Sequence, residues 1–372
     1  NQLGSGGAGA DGLPDIDLGG GGDSEFNGQN LATGFDHNCA IQMNETLRCW
    51  GSNYWGALGS QQHSNSHYPT PQYNVELPQG TVPLAVSAAY GYSCAIVDNG
   101  SNEAYCWGKG DNGKLGNGNL SNSNVPGNKV VLPSGANPVY ISSSDGHSCV
   151  VSDDEDIYCW GLNNQGQLGN GSQGGYSSIP VIVNSGVGFK SVSAGYEYSC
   201  AISGAGGLYC WGNNNNGQLG DGTYNLRTSP VQITSGPTSA IWKEVAVSES
   251  HTCAISSSDE IYCWGMNNDG QLGDGTTDNA NTPQLVDMPA GITAVSVSVG
   301  GSGFTCGVLE NHSSYCWGKN ERGFLGDGSW QDSHTPIAID LPSGSEVVEI
   351  SSGREHSCIL LANDQIMCWG WG

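Results

Sequence analysis

A chain of 372 residues with 59 glycines and only 12% charged residues suits many tight turns between short strands and excludes long charged helices. Its 35 Asp and Glu against 10 Lys and Arg leave a formal net charge of −25, a poor fit to nucleic acid, which needs a basic patch. No apolar run reaches the roughly 18 residues of a membrane span, so none is expected.

Residues 1–25 form a glycine-rich arm, with Gly19-Gly20-Gly21-Gly22 as a hinge and Pro14-Asp15-Ile16-Asp17-Leu18 as a strand-like stretch. Beyond it one unit repeats. Cys-Trp-Gly recurs seven times, with its tryptophan at Trp50, Trp107, Trp160, Trp211, Trp264, Trp317 and Trp369. A partner cysteine precedes each, at Cys39, Cys94, Cys149, Cys200, Cys253, Cys306 and Cys358, spaced by 55, 55, 51, 53, 53 and 52 residues. A fixed period of this size marks a solenoid, a propeller or an array. In the fourth copy, extended segments are expected at 190–195, 199–202, 208–212 and 230–233, the last after the loop Gly217-Gln218-Leu219-Gly220-Asp221-Gly222-Thr223. Four short antiparallel strands per unit, repeated radially, make a propeller blade. The first segment is rich in Ser, Ala and Gly in other copies too, as small side chains near a crowded axis should be. The expected fold is all-β: a single domain over 1–372, with seven four-stranded blades centred on the cysteine pairs.

Those pairs are Cys39–Cys49, Cys94–Cys106, Cys149–Cys159, Cys200–Cys210, Cys253–Cys263, Cys306–Cys316 and Cys358–Cys368. Six enclose nine residues and Cys94–Cys106 encloses eleven, an insertion of two around Asn99-Gly100-Ser101 that preserves strand periodicity. Opposed residues of an antiparallel pair lie within disulfide reach, so seven bridges inside the blades are expected. Zinc is the competitor, but no Cys-x2-Cys spacing occurs. Fourteen paired cysteines fit an oxidising compartment, and a chain opening at Asn1 reads as processed and exported.

The final copy stops at Cys368-Trp369-Gly370-Trp371-Gly372, and the chain opens on Asn1-Gln2-Leu3-Gly4-Ser5-Gly6, the loop that copy lacks. The stretch 14–18 echoes Pro336-Ile337-Ala338-Ile339-Asp340-Leu341, so the N-terminal arm should supply the outer strand of the last blade. Closure of its own ring has the advantage of effective concentration; the alternative is entry into a neighbour's blade, which would build a filament.

Gly-Gln-Leu-Gly-Asp-Gly-Thr after Trp-Gly-x-Asn, with Gly353-Arg354-Glu355-His356-Ser357 before a strand, resembles the RCC1-type repeat, named for the regulator of chromosome condensation. The resemblance covers essentially the whole chain and implies a seven-bladed propeller closed by its terminal strands. Propellers of this kind serve as nucleotide-exchange factors, chromatin binders, enzyme inhibitors and surface proteins. The cysteine pairs, the acidity and the lack of basic arms set this chain apart from the nuclear members and bring it nearer an exported microbial branch.

Several residue sets could carry chemistry. His37, His147, His251 and His356 each precede a cysteine by two, with Tyr92, Tyr198 and Phe304 in that place elsewhere; recurrence indicates packing and a structural hydrogen bond rather than a catalytic pair. Asp221, Asp274 and Asp327, with Asn117 and Asn170 in matching places, lie between glycines as tight turns require. Calcium, needing several converging oxygens, is the weaker reading there and at Asp15, Asp17 and Asp23. Gly4-Ser5-Gly6-Gly7-Ala8-Gly9 satisfies a dinucleotide pattern without its strand and helix, and Asp153-Asp154-Glu155-Asp156 sits at a hairpin tip. No cofactor or catalytic set is expected. Asn44, Asn99, Asn119, Asn170 and Asn311 head glycosylation sequons. The long loop 60–73, with His63, His67, Tyr68 and Tyr73, and the loop aromatics Tyr54, Trp55, Tyr176, Tyr224 and Trp330 are the candidate interface, because loops on a rigid scaffold carry function.

The expected function is non-catalytic: an extracellular or cell-surface scaffold, possible as a self-assembling filament subunit. The alternative is a module binding carbohydrate or protein, inhibitors' targets included, through the aromatic loops. Nucleic acid and membrane are not expected partners.

Overall fold

The computed structural model describes residues 30–42, 44–61, 64–66, 74–237, 241–289 and 291–371, and the backbone of 16–17. Seven antiparallel sheets follow one another along the chain, the blades of a propeller. Blade 4 is typical: Phe189–Ala194 lies nearest the axis, followed outward by Tyr198–Ser203, Leu208–Gly212 and Arg227–Gln232. Blades 3, 5 and 6 repeat this order. In blade 7, Ile16–Asp17 pairs antiparallel with Gln365–Gly370, Ile16 opposite Ile366, and is the outer strand of that sheet. The expected ring closure is present. The preceding loop 1–6, the hinge 19–22 and Asp15 and Asp23 lie outside the described residues.

Blades 1 and 2 depart from the expected four strands. Among the described residues their sheets have three, with isolated bridges in the place of the fourth, Arg48 with Asn74 and Gly51 with Ser66, then Tyr105 with Lys129 and Gly108 with Ser123. In blade 2, Pro126-Gly127-Asn128-Lys129 runs a residue longer than Pro230-Val231-Gln232 of blade 4, which breaks the outer ladder.

All seven disulfides are formed, each between directly opposed residues of the second and third strands, with Cα atoms 4.0–4.1 Å apart. The insertion at Asn99 lengthens its hairpin and leaves Cys94 opposite Cys106. Such bonds are those of an oxidising environment.

The core is a set of layers between blades. Cys200, Cys210 and Leu219 of blade 4 pack on Trp242, Val247 and Trp264 of blade 5. The layer that closes the ring joins Leu31, Ala40 and Trp50 to Cys358, Leu360 and Ile366. Each Trp-Gly tryptophan from Trp107 to Trp369 also donates Nε1–H to a backbone carbonyl of the preceding blade, as Trp264 does to Gln218 at 2.9 Å. Gly220 must lack a side chain for this: at φ 75°, its Cβ would lie 2.5 Å from Trp264 Nε1.

The innermost strands have a second role beyond smallness. Ser87, Ser142, Ser193, Ser298 and Ser351 each accept a backbone N–H from the next blade's inner strand, at 2.8–3.2 Å. Ala32 and Ala246 occupy the two remaining places. Glu244 crosses to blade 6, accepting from Val297 N and Ser296 Oγ at 3.2 Å, and Glu349 crosses to blade 1, accepting from Leu31 N at 3.3 Å. Burial pushes both carboxyls up to about 7. No helix among the described residues is long and apolar enough to cross a membrane.

Candidate binding face

Strand order sorts the loops. The turn between first and second strands and the loop after the third strand fall on one face; the hairpin tips and the connections to the next blade fall on the other. Tyr54, Trp55, Tyr176, Tyr224 and Trp330 therefore share a face, which also holds the mouth of the axial channel. Tyr54, Tyr176, Tyr224 and Trp330 are exposed by 80, 51, 54 and 62%, while Trp55 is partly buried. Tyr68, His63, His67 and Tyr73 lie outside the described residues. Asn44, Asn99 and Asn311 are exposed at hairpin tips of the opposite face, whereas exposed Asn119 and partly buried Asn170 follow the third strands. The acidic tip 153–156 is on that opposite face too.

The recurrent histidines are built into the blade junctions. His37, His147 and His251 reach Ser93, Ser199 and Thr305 of the next blade through Nε2 at 2.7–2.9 Å, and His356 reaches Asn38 across the ring closure at 2.7 Å. Burial drives His147 and His251 down to about 3 and His356 to about 4. Neutral histidines locked in this way hold the structure and are not poised for proton transfer. Tyr92 and Tyr198 hold the same place by donating to backbone carbonyls of the next blade.

The loop carboxylates are likewise engaged. Asp221 accepts from Thr223 N and Oγ1 and from Arg227; burial pushes its pKa up, but these bonds outweigh it and hold the carboxyl below its ordinary range. Asp274 and Asp327 make the same turn with Thr276 and Ser329, and Asn170 with Ser172. Among the described residues no cluster of three or more His, Cys, Asp or Glu could hold a metal.

The mouth is different. Its turns present Phe35, Tyr90, Asp145, Tyr196, Glu249 and Arg354 from six blades, around a cavity of about 100 Å³ that all but Tyr90 line. The Arg354 guanidinium lies 4.3 Å over the Phe35 ring and 3.2 Å from Glu249. Phe35 packs on Tyr90 at 4.7 Å, Tyr90 on Trp55 at 5.2 Å, and Trp55 on Tyr54 at 4.8 Å. Lys109 sits 4.8 Å over both Trp55 and Tyr90, and Lys114, 3% exposed, stands near the Tyr90 and Tyr92 rings. Both lysines share Asp111, at 3.3 and 3.2 Å. Burial lowers the Lys114 pKa against the pull of Asp111, and burial raises those of Asp145 and Glu249. Lys114 stands where Gln167, Gln218 and Gln271 close their own loops in other blades.

Of this arc, sequence reasoning found Tyr54 and Trp55 and missed the turn residues. The available signal was variation: between the inner strand and the His or Tyr two residues before each first cysteine, nearly identical repeats carry Phe35, Tyr90, Asp145, Tyr196, Glu249 and Arg354.

Comparison with known proteins agrees with this geometry. The family model for the RCC1-like domain matches residues 126–372. The ultraviolet-B receptor UVR8 of Arabidopsis thaliana is 29% identical over 344 residues, 92% of this chain and 76% of that protein. The E3 ubiquitin-protein ligase HERC2 of Homo sapiens is 28% identical over 87% of this chain, which spans only 7% of HERC2. Yeast RCC1 (Prp20), solved bound to Kap60, superposes with TM-score 0.75 at 22% identity, covering 91% of this chain and 79% of that one.

Proposed function

Because the chain belongs to the RCC1-like domain family, we propose that it is an exported, non-catalytic scaffold that presents its mouth face to a protein partner. One observation carries this: on a chain of net charge −25, aromatic rings and stacked cations converge at the mouth from several blades. Relatives of this fold bind proteins, as yeast RCC1 does Kap60. Exposed aromatics on a rigid frame are the usual anchors of such contacts. The seven disulfides support an extracellular or cell-surface setting. Glycans at Asn44, Asn99 and Asn311 would coat the opposite face and leave the mouth clear; mass spectrometry before and after enzymatic deglycosylation tests their occupancy, with Asn119 and Asn170 as further candidates.

A photo-crosslinking amino acid placed at Tyr54, and separately at Asp154 on the opposite face, tests the reading in the exporting host. A discrete protein adduct from position 54 and none from 154 is expected; adducts from 154 alone would refute it. The exposed rings of Tyr176, Tyr224 and Trp330 favour carbohydrate as the second reading, which a glycan array with Trp55→Ala and Trp330→Ala variants separates from the first. The two-residue strand Ile16–Asp17 pairs with its own last blade, which supports closure within one chain. Filament growth through strand exchange would appear as mass rising with concentration in light scattering.

A further inference from the structure

The mouth pairs aromatic rings with carboxylates three times. Phe35 and Glu249 hold the guanidinium of Arg354. Trp55, Tyr90 and Asp111 hold the ammonium of Lys109. The third pair is Tyr196 with Asp145, contributed by adjacent blades and lining the same cavity. Among the described residues no cation completes it. Among the described residues Asp145 makes no side-chain hydrogen bond and no ion pair, and Lys114 and Arg354 act on it only from a distance. Tyr196 remains 46% exposed, with no cation over its ring.

Asp145 is nonetheless partly buried, and that burial raises its pKa. A desolvated, unpaired carboxylate is costly, and an incoming cation relieves that cost. Beside it, the ring offers the cation a π face. The net charge of −25 on the chain favours the approach of a cation to this part of the mouth.

We propose that Asp145 and Tyr196 form a receptor for one basic side chain, lysine or arginine, of a protein partner docking on the mouth face. This rests on the binding reading above and names the chemistry of its partner. Arg354 and Lys109 are the internal precedents for such a seat.

The test titrates the full chain with three acetylated, amidated peptides Gly-X-Gly, where X is arginine, lysine or norleucine, and with calcium chloride, by calorimetry or ligand-observed NMR. The arginine or lysine peptide should bind with a Kd of order millimolar, as a single contact allows. Norleucine should not bind. Asp145→Asn should weaken the basic peptide about tenfold, and Tyr196→Ala several-fold. Glu249→Gln, which disturbs the occupied seat, should change it less. Asp145→Asn should also match or exceed the parent in melting temperature, because it removes an unpaired, partly buried charge. Equal binding of norleucine, binding unchanged by Asp145→Asn, or calcium displacing the basic peptide would each overturn the proposal. Should no basic peptide bind while Tyr54 crosslinks persist in Asp145→Asn, the mouth-face reading stands and the receptor falls.

Discussion

The junctions between blades and the mouth of the channel use the same residue types to opposite ends. At a junction Trp211 is fully buried and bonded to the Gln167 carbonyl, while in the mouth-face loops Trp330 is largely exposed. Asp221 is consumed by Thr223 and Arg227; Asp145 has no side-chain hydrogen bond and no ion pair among the described residues. His251 is locked neutral against Thr305, whereas Lys109 stacks over the Trp55 and Tyr90 rings near solvent. Residues whose hydrogen bonds are spent within the repeat have nothing left for a ligand, so chemistry collects where the repeat stops satisfying itself.

The contrast breaks most sharply at tryptophan. Trp211→Ala should cost about 3–5 kcal/mol, through cavity and transfer terms, whereas Trp330→Ala should stay within about 0.5 kcal/mol. Urea denaturation of both variants decides it; equal losses would erase the distinction between junction and mouth. Removing one staple, by Cys200→Ala with Cys210→Ala, should cost about 2–4 kcal/mol by the same measurement while leaving crosslinking from Tyr54 intact.

Acid should attack the junctions. His147 and His251 lie at about 3 and His356 at about 4, against an ordinary 6.5, so the unfolded chain takes up protons that the folded one refuses. Their contribution is complete above pH 6.5 and drains as pH falls toward 4 and 3, by about 1–2 kcal/mol per histidine at pH 5. Glu244 and Glu349 act in the reverse sense. Raised to about 7 from an ordinary 4.5, they favour the fold below pH 4.5 and lose that contribution as pH rises through 7. Glu244→Gln should therefore stabilise by about 1–3 kcal/mol at pH 8 and little at pH 4, read from urea midpoints across pH. The smallest effect concerns the axis: Ala246→Ser supplies the acceptor its five serine counterparts provide, and should raise stability by about 0.5–1 kcal/mol in thermal melts.

Much of this was legible in the residues. Period, cysteine spacing and the split repeat identified the blades, the bridges and the partner of Ile16–Asp17, because each depends on local pattern or on counting by two. The histidine role followed from its recurrence. The serine contacts between inner strands did not, since Ser142 and the Ala194 N–H it accepts from belong to different repeats and meet only when successive blades pack. The mouth was hidden for the same reason. Asp145 looks like an ordinary turn residue in its own copy and gains meaning only beside Tyr196, 51 positions on in the chain. The broken outer ladder of blade 2 turns on one added residue, below the resolution of periodicity.

Each cysteine's mate is its nearest neighbour in sequence on the paired strand, 10 or 12 positions away, and none ties one blade to another. Oxidation can thus proceed hairpin by hairpin as the polypeptide emerges, with little scope for scrambled thiols. The circle itself is held by non-covalent contacts alone, so a circular permutant cut at another spoke should assemble with every sulfur bond unaltered.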